Sequence, residues 1–347
     1  MQRAVNHYQF IMYRNIRIAS NRGSYISRSI ISKAWFRPLS SDATCDKLKK
    51  DKITEPVAPC AKVIRHLQFT ERMPFQEGLA IQEKFVRANL DMKKLQSKIE
   101  QKLIQLDEEY GGMASINDSE KQLLDKIMEM KPNPTVLTFE FVPTYTGGKR
   151  IKKTMSKDLQ DKLENFKPSQ QVDNPKPQFV QVERGGEITF HGPGQMVAYI
   201  ILDLKTFKDF PARCFISVIE KATANTLKKL TTGNNPAPLN MSTTKVDDKT
   251  GVWTENGEKI ASIGVHVRRS VTSHGVCINV SPDLSYLNSF EMCGTPNGLA
   301  TSIENERPGF NVSVQDVSIA FVRELAKLLG IDTVERMQTN GSDMMEE

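Results

Sequence analysis

The chain has 347 residues, of which 25% are charged, and a formal net charge of +6, a composition typical of a globular protein with one large domain or two smaller ones. No apolar run approaches the roughly 20 residues that a membrane span requires. Seven of the 47 Lys and Arg residues lie within residues 1–41, which contain no Asp or Glu, so the remainder holds 40 basic against 41 acidic residues. The composition therefore excludes a membrane-spanning protein and does not indicate a nucleic-acid-binding body.

The first 39 residues are rich in arginine, contain serine and have no acidic side chain. This pattern resembles a mitochondrial presequence, and it has no continuous apolar region of the kind found in secretory signals. The string Arg37-Pro38-Leu39-Ser40 resembles a matrix-protease site with cleavage before Ser40. We therefore expect a presequence over 1–39, a matrix location and a polar linker over 40–62. The alternative is a disordered basic tail that binds a membrane or an acidic partner.

A strand is predicted first, over Val63–Phe69, and a helical pattern follows from Pro74 to Tyr110, where apolar residues recur at three- and four-residue steps. A second helix is predicted over Asp118–Met130, before Pro132. This pair indicates an amphipathic helical insertion, at about 81–130, that packs on the domain. Binding of a partner is the alternative.

The middle of the chain combines short strands with a glycine-rich connection. Val136–Phe141 predicts a strand that leaves through a loop ending at Gly148, and the lysine-rich stretch 149–176 predicts an exposed loop or lid. Strands are predicted over Gln178–Glu183 and Met196–Leu204, joined by RGGEITFHGPGQ at 184–195. A polar, glycine-rich connection between two buried strands is where a scaffold usually places a site, although G-P-G alone is also typical of a tight turn.

The C-terminal part predicts two helices and a β-rich block between them. The predicted elements are a helix over Pro211–Leu230, a polar loop over 234–248, strands over Gly251–Glu255, Lys259–Arg268 and Ser273–Val280, and a helix over Ser313–Leu329. Asn256-Gly257 indicates a hairpin, and Ser313 with Asp316 indicates a capping box. The order contains no strict βαβ repeat, so we expect an α/β (α+β) fold in which helices flank a mixed β-sheet. The domain is predicted over 63–335, with a flexible tail over 336–347.

Two side chains have the chemistry of a thioester-forming site. Cys293 lies in Met-Cys-Gly-Thr-Pro-Asn-Gly, a loop sequence in which a thiol is accessible, and a thiolate is a strong nucleophile toward thioesters. Lys259 opens an apolar strand, where a lysine is usually only solvated, but a lysine close to a cysteine lowers the pKa of the thiol. Cys214 and Cys277 fit core packing better, and His266 and His274 are predicted to be structural because they lie in strands.

The five cysteines are odd in number and form no C-x-x-C pair. Together with the predicted presequence, this argues against a disulfide framework. The chain has only five histidines, and they lack ligand spacing, so no metal site is predicted.

Four motifs in order, RGGEITFHGPGQ, KIASIGVHVRR, SHGVCINVSPDL and the following Cys-Gly, resemble the LipB-type lipoyl(octanoyl) transferases over Phe179–Asn297. The resemblance implies a fold related to the biotin/lipoate–protein ligase catalytic domain. It also implies transfer of an octanoyl group from octanoyl-acyl carrier protein to a lysine of lipoyl domains such as glycine cleavage H protein. No cofactor is implied, because the thioester is already activated.

The family's functional residues carry over position by position. Cys293 matches the acyl-thioester nucleophile, and Lys259 matches the lysine that tunes it. Three stretches match substrate-binding segments, namely Arg184, Gly185, Gly186, Glu187, Ile188, Thr189, Phe190 and His191, then Ser262, Ile263 and Gly264, then Gly275, Val276 and Cys277. An ATP-dependent lipoate or octanoate ligase and a non-catalytic lipoyl-domain-binding protein are the alternatives. Intact Cys293, Lys259 and His191 favour the transferase.

Overall fold

The computed structural model describes residues 51–110, 117–169, 174–233, 236–246, 249–290 and 299–340. Its contacts separate a small unit, Leu95–Glu129, from a larger unit that contains the described residues up to Lys94 and from Met130 onward. No helix in the described ranges is long and apolar enough to cross a bilayer.

Eleven strands occur in the described chain, all in the larger unit. They are β1 Val63–Met73, β2 Thr135–Phe141, β3 Thr144–Gly147, β4 Gln178–Gln181, β5 Ile188–His191, β6 Gln195–Ile201, β7 Thr243–Val246, β8 Lys249–Thr254, β9 Lys259–Arg268, β10 Val271–Asn279 and β11 Thr333–Thr339. Eight of them form one mixed sheet in the order β11-β1-β2-β6-β10-β9-β8-β7, and β4-β3-β5 form a second, smaller sheet. In the large sheet β1 is parallel to both β11 and β2, whereas β6 is antiparallel to both β2 and β10.

Seven α-helices accompany these strands in the described residues. They are α1 Phe75–Glu109, α2 Asp118–Glu129, α3 Lys157–Glu164, α4 Ala212–Lys229, α5 Leu284–Leu287, α6 Ile303–Glu306 and α7 Val314–Leu329. Helix α7 begins with the capping box of Ser313 and Asp316 and ends at Gly330, which is left-handed with φ of 69°. The capping box was predicted from the sequence and is confirmed, and Gly330 adopts the conformation in which glycine commonly ends a helix.

The large sheet is covered on both faces, and the central strand β6 shows why. All seven residues of β6 are buried. Met196, Ala198 and Ile200 face one core together with residues of α4 and α7, and Val197 and Tyr199 face another together with Phe75, Ile81 and Val86 of α1. This alternation is the two-residue period of a strand between two layers. It confirms the predicted mixed sheet flanked by helices.

Four short strands were missed by the sequence analysis. The predicted loop after Phe141 contains β3, the predicted glycine-rich loop contains β5, the predicted polar loop 234–248 contains β7, and β11 follows the last helix. Three of these strands have only four residues, too few for an alternating pattern, and β11 is mostly polar and exposed. The glycine-rich connection 184–195 thus leads from β4 of the small sheet, through β5, to β6 of the large sheet.

Several predicted boundaries were wrong because packing extends past them. Within the predicted linker 40–62, Ile53 and Ala61 are buried and the Ile53 amide donates to the Leu328 carbonyl (2.9 Å). The predicted flexible tail from 336 is wrong up to Thr339, since β11 pairs with β1 that far. The lysine-rich stretch 149–176 contains α3, whose Leu163 is buried. The predicted presequence 1–39 and its cleavage site lie outside the described residues.

The helical insertion predicted at about 81–130 also begins too early. Ile81 is 1% exposed and Val86 is 0% exposed, and both pack in the core beneath the large sheet. Among the described residues, only Leu95–Glu129 separates from the larger unit. Amphipathic spacing alone does not reveal how far along a helix its apolar face is covered.

We expect Gly194→Ala to destabilise the larger unit more than Gly257→Ala. Both glycines have φ of +80°, but a Cβ at Gly194 would overlap the Ser281 carbonyl, whereas at Gly257 the described residues leave open space. The backbone strain is shared, so the two variants should differ by about 1–3 kcal/mol in free energy of unfolding because of the overlap. Urea denaturation measures this difference, and equal losses would contradict the proposed contact.

Candidate active site

A single pocket on the α1 side of the large sheet gathers the residues that the sequence analysis singled out. Thirteen of the fourteen predicted substrate-binding residues line it, together with Lys259. Phe190 does not line it, because its ring stacks on Tyr286 in a separate core (centroids 4.4 Å apart). Phe75, Val197, Tyr199 and His274 also line the pocket, and the sequence analysis missed all four as site residues.

Arg184 joins the two sheets at one wall of this pocket. The side chain is 8% exposed, and its Nη2 donates to the Thr146 carbonyl (2.9 Å) and the Thr146 hydroxyl (2.8 Å) of β3. Its stem passes over Gly264 of β9, where an added Cβ would lie 2.9 Å from Arg184 Cδ. Gly264 is therefore required for the guanidinium to reach β3.

The glycine-rich loop is held on both sides by main-chain hydrogen bonds. The Gly185 amide donates to the Val265 carbonyl of β9 (3.1 Å), and the Gly148 amide donates to the Glu187 carbonyl (2.9 Å). A Cβ at Gly148 would overlap the Gly186 carbonyl. The loop is thus fixed before any ligand binds, which favours binding without a large ordering cost.

The floor of the pocket is main chain rather than side chain. Gly264 of β9 pairs with Gly275 of β10, so neither strand has a Cβ at this position. A Cβ at Gly275 would also overlap the Ala198 carbonyl of β6. Ser262 and Cys277 pair at the neighbouring same-face position. A ligand can therefore lie directly on the sheet between these side chains.

Lys259 lies at the start of β9 and is buried, with 3% of its surface exposed. Its Nζ is 5.1 Å from the centroid of the Trp253 ring, a cation–π arrangement. Its amide donates to the Leu299 carbonyl (2.9 Å), and its carbonyl accepts from the Thr301 amide (3.0 Å). The chain that returns after 291–298 therefore lies directly beside Lys259. Cys293 belongs to residues 291–298, which lie outside the described residues.

Gly251 makes room for the Lys259 side chain. Its φ is +140°, and an added Cβ would lie 2.9 Å from Lys259 Cε and 3.5 Å from Lys259 Nζ. Together with Trp253, Gly251 places β8 against the lysine. This contact was not predicted, because Gly251 was interpreted only as the start of a strand.

Two histidines in the pocket are held in the neutral form. Burial, together with nearby Arg184, lowers the pKa of His191 and of His274 to about 3. The His191 ring stacks on Phe75 (centroids 5.3 Å apart). His274 was predicted to be structural, but it lines the pocket, whereas His266 lies 3.1 Å from Lys149 Nζ through its Nε2.

The pocket also holds polar atoms without a protein partner in the described part of the chain. These are His191 Nδ1 and the Tyr199 hydroxyl, both buried. An unsatisfied buried polar atom costs about 1–3 kcal/mol, so both are suited to bind a ligand or solvent. Burial also raises the pKa of the Cys277 thiol. Cys277 is therefore a neutral thiol and a poor nucleophile.

A family model described as the lipoyl protein ligase A/B catalytic domain matches residues 116–326. The fold and the pocket therefore belong to a catalytic domain of that class. The mitochondrial octanoyltransferase of Saccharomyces cerevisiae is 62% identical over 295 residues, covering 84% of this chain and 90% of the relative. That of Kluyveromyces lactis is 58% identical over 286 residues, covering 82% and 86%. The chain belongs to the octanoyltransferases of the lipoyl protein ligase A/B family.

The predicted enzyme class, an acyltransferase of protein lipoylation, and the predicted mitochondrial location are thereby confirmed. Among solved structures, lipoate-protein ligase A bound with ATP aligns with a TM-score of 0.48 at 14% identity. That alignment covers 81% of this chain and 92% of the ligase.

We expect the free energy of unfolding to fall as the pH drops from about 6.5 toward 3. The folded pKa of His191 and His274 lies below the unfolded value of about 6.5. The folded protein therefore binds fewer protons in this range, so this stability is complete above pH 6.5 and is lost on acidification. Each histidine contributes a slope of up to about 1.4 kcal/mol per pH unit.

Urea denaturation at pH 7.5, 6, 5 and 4 measures this slope. His191→Phe retains an aromatic ring against Phe75 and should flatten the slope. His266→Phe is the comparison: partial burial also lowers the pKa of His266, but the ring is only half-buried, so its removal should flatten the slope less. An unchanged slope in His191→Phe would show that His191 is not held neutral.

Proposed function

We propose that this chain transfers an octanoyl group from octanoyl-acyl carrier protein, through a thioester on Cys293, to a lysine amine of a lipoyl domain such as that of glycine cleavage H protein. The observation that carries the proposal is the position of Lys259. It is a buried cation at the edge of a pocket formed by the family's motifs, and the chain segment that follows Cys293 bonds to its main chain.

The Lys259 ammonium would stabilise a thiolate beside it. A neighbouring cation favours the charged form of a thiol, and the contact of Lys259 Nζ with the Trp253 ring, 5.1 Å from its centroid, holds the cation at this edge of the pocket. Cys277 does not fit this role, because it is buried with a raised pKa. Cys293 precedes Leu299, whose carbonyl accepts from the Lys259 amide, by six residues in the sequence, so we assign the nucleophile to Cys293.

The proposed reaction has two balanced steps. First, the Cys293 thiolate attacks the octanoyl carbonyl carbon, the bond to the carrier-protein sulfur breaks, and Lys259 gives a proton to that sulfur. Second, the neutral amine of the acceptor lysine attacks the new thioester, the bond to Cys293 breaks, and Lys259 takes the proton that the amine releases. The thiolate–ammonium pair is thereby restored. The energy comes from the donor thioester, so no nucleotide is consumed.

The acyl chain has a suitable surface beside Lys259. The floor formed by Gly264 and Gly275 allows a flat chain to approach the main chain, and Ile188, Val197 and Phe75 give the lining apolar side chains. We propose that the predicted substrate-binding residues other than Phe190 hold the acyl chain here. Phe190 supports the small sheet from below, through its stack on Tyr286.

Cys293→Ser and Lys259→Met should each abolish octanoyl transfer while the protein stays folded. The serine hydroxyl is a much weaker nucleophile at neutral pH, and methionine retains length but not charge. The full chain is incubated with octanoyl-carrier protein without ATP, and the adduct is mapped by mass spectrometry. Cys60→Ser is the matched control, since Cys60 lies in a short helical turn far along the chain from the motifs, and it should retain the adduct.

A thioester on Cys293 that moves to a lipoyl-domain lysine is the expected result. Domain modification that appears only after ATP and free octanoate are added would instead indicate a ligase. Binding of the lipoyl domain with neither adduct nor modification would indicate a non-catalytic binding protein. Either outcome contradicts the role proposed for Cys293.

Gly251→Ala should lower the transfer rate more than Gly309→Ala. Both glycines have positive φ, but a Cβ at Gly251 would press on Lys259, whereas at Gly309 the described residues leave open space. A displacement of about 1 Å near the reacting atoms can cost about a hundredfold in rate. Steady-state kinetics together with thermal unfolding separate the two effects. Equal rates in the two variants would show that Gly251 does not position Lys259.

A further inference from the structure

The start of β9 lies beyond the regular main-chain pairing of the large sheet. Pairing of β9 with β10 ends at Ala261, which lies opposite Ile278. On the other side, β8 pairs with Ala261 through Val252 and with Lys259 through Trp253, so β9 has one extra residue there, as in a β-bulge. On the β10 side, Lys259 is therefore outside the ladder that fixes the rest of β9.

The Asn279 side chain, at the end of β10, supplies a contact where this ladder stops. Its Nδ2 donates to the Thr301 carbonyl (2.8 Å) and to the Lys259 carbonyl (3.4 Å). The Thr301 amide donates to the same Lys259 carbonyl (3.0 Å). All three residues are buried. One side-chain amide thus joins the end of β10 to the main chain of Lys259 and of Thr301.

Gln195 extends this contact to the glycine-rich connection. It pairs with Asn279 across β6 and β10, and its Nε2 donates to Asn279 Oδ1 (2.8 Å). Its Oε1 accepts from the Gly192 amide (2.8 Å). Gly192 directly follows His191, which lines the pocket as Lys259 does. Gln195 and Asn279 therefore form a buried amide row between two chain segments of the pocket.

The direction of each bond in the amide row is fixed by its two ends. The Gly192 amide can only donate, so the oxygen of Gln195 must face it. The Thr301 and Lys259 carbonyls can only accept, so the nitrogen of Asn279 must face them. Both side chains are almost fully buried, where a polar group without a matching partner is costly. A side chain that cannot both donate and accept therefore breaks the row.

We propose that Gln195 and Asn279 are positioning residues that hold Lys259 at the reacting end of the pocket, in register with the glycine-rich connection. The proposal rests on the proposed function, because it takes Lys259 to exchange protons with the reacting groups. Among the described residues that line the pocket, neither amide is present, so both act through the main chain of Lys259. The floor formed by Gly264 and Gly275 lies within the regular ladder and does not depend on them.

Asn279→Asp should lower kcat for octanoyl transfer at about pH 8 by about a hundredfold, the effect of a displacement of about 1 Å near the reacting atoms, with KM for the donor changed by less than about threefold. A carboxylate cannot donate, so one of its oxygens would repel the Thr301 and Lys259 carbonyls. Gln68→Met is the matched control. Gln68 is a fully buried amide on β1 that donates to α7, so its loss should lower stability and leave kcat unchanged.

Gln195→Glu tests the other half of the amide row, and the two acid variants share a pH signature. A protonated carboxyl has one donating and one accepting oxygen, as an amide does, so protonation restores the row. Burial raises the pKa of an introduced carboxyl. The nearby carboxylates of Glu140 and Glu306 raise this pKa further, and the Lys259 ammonium lowers it.

The ratio of variant kcat to wild-type kcat should therefore rise as the pH falls from about 8 to about 6. Steady-state kinetics at several pH values, corrected for the folded fraction, measure this ratio for both acid variants. If Gln195 and Asn279 only stabilised the fold, kcat per folded molecule would equal the wild-type value at every pH, which would overturn the proposal.

Fluorescence of Trp253 reports on Lys259 without requiring transfer. Lys259 Nζ lies 5.1 Å from the centroid of the Trp253 ring, so a displaced ammonium changes the environment of the indole. The other tryptophan of the chain is Trp35, and Trp35→Phe leaves Trp253 as the single emitter. In that background, Asn279→Asp should change the emission spectrum in the same direction as Lys259→Met does, and Gln68→Met should leave it unchanged.

The two readouts separate this proposal from the proposed function. Wild-type protein that forms no thioester would overturn the proposed function alone, and the fluorescence then still tests whether the amide row holds Lys259. An emission change in Asn279→Asp without one in Gln68→Met supports the proposal. An unchanged emission in Asn279→Asp, or an unchanged kcat in a transfer-competent protein, overturns it.

Discussion

The buried guanidinium of Arg184 is the constraint around which the pocket is arranged. A charged group at 8% exposure must have its donors satisfied by fixed acceptors, and Thr146 and Gly185 supply them. The space for the side chain exists because Gly264 and Gly148 have no Cβ. Two glycines, one on β9 and one after β3, are thus consequences of one side chain. Burial lowers the pKa of His191 and His274, and the same guanidinium adds to this effect, so the pocket histidines are neutral.

The pocket has two chemically different ends. At one end the Lys259 ammonium lies over the Trp253 ring, and Leu299 and Thr301 bond to the Lys259 main chain. Further along β9, the Tyr199 ring and the neutral His274 imidazole lie beside the floor formed by Gly264 and Gly275. This polarity suits a substrate with one reactive carbonyl and an apolar tail. The charged residues that line the pocket are Arg184, Glu187 and Lys259. The proposed transfer uses one of them, Lys259, at the carbonyl and leaves the rest of the acyl chain to uncharged surface.

Sequence reasoning predicted the fold class and most lining residues because those signals are local. The period of β6, the cap of α7 and the Asn256-Gly257 hairpin depend on neighbouring residues. Motif resemblance placed the loop and strand residues that converge on the pocket. Phe75, Tyr199 and His274 were missed for a different reason. Phe75 is more than a hundred residues from the nearest motif, Tyr199 fits an ordinary apolar strand, and the left-handed backbone of His274 has no sequence signal.

Sheet topology also constrains the order in which this chain can reach its native state. Strand β1 begins at Val63 and pairs with β11, which ends at Thr339, so the two partners are separated by nearly the whole catalytic domain. Contacts of such long sequence separation form late, because loop closure must precede them. Until β11 arrives, β1 presents an unpaired edge, the kind of surface that recruits other strands. A chain that enters its compartment N-terminus first would therefore carry an open edge at β1 until β11 has arrived, and this period of exposure follows from the topology rather than from the active site.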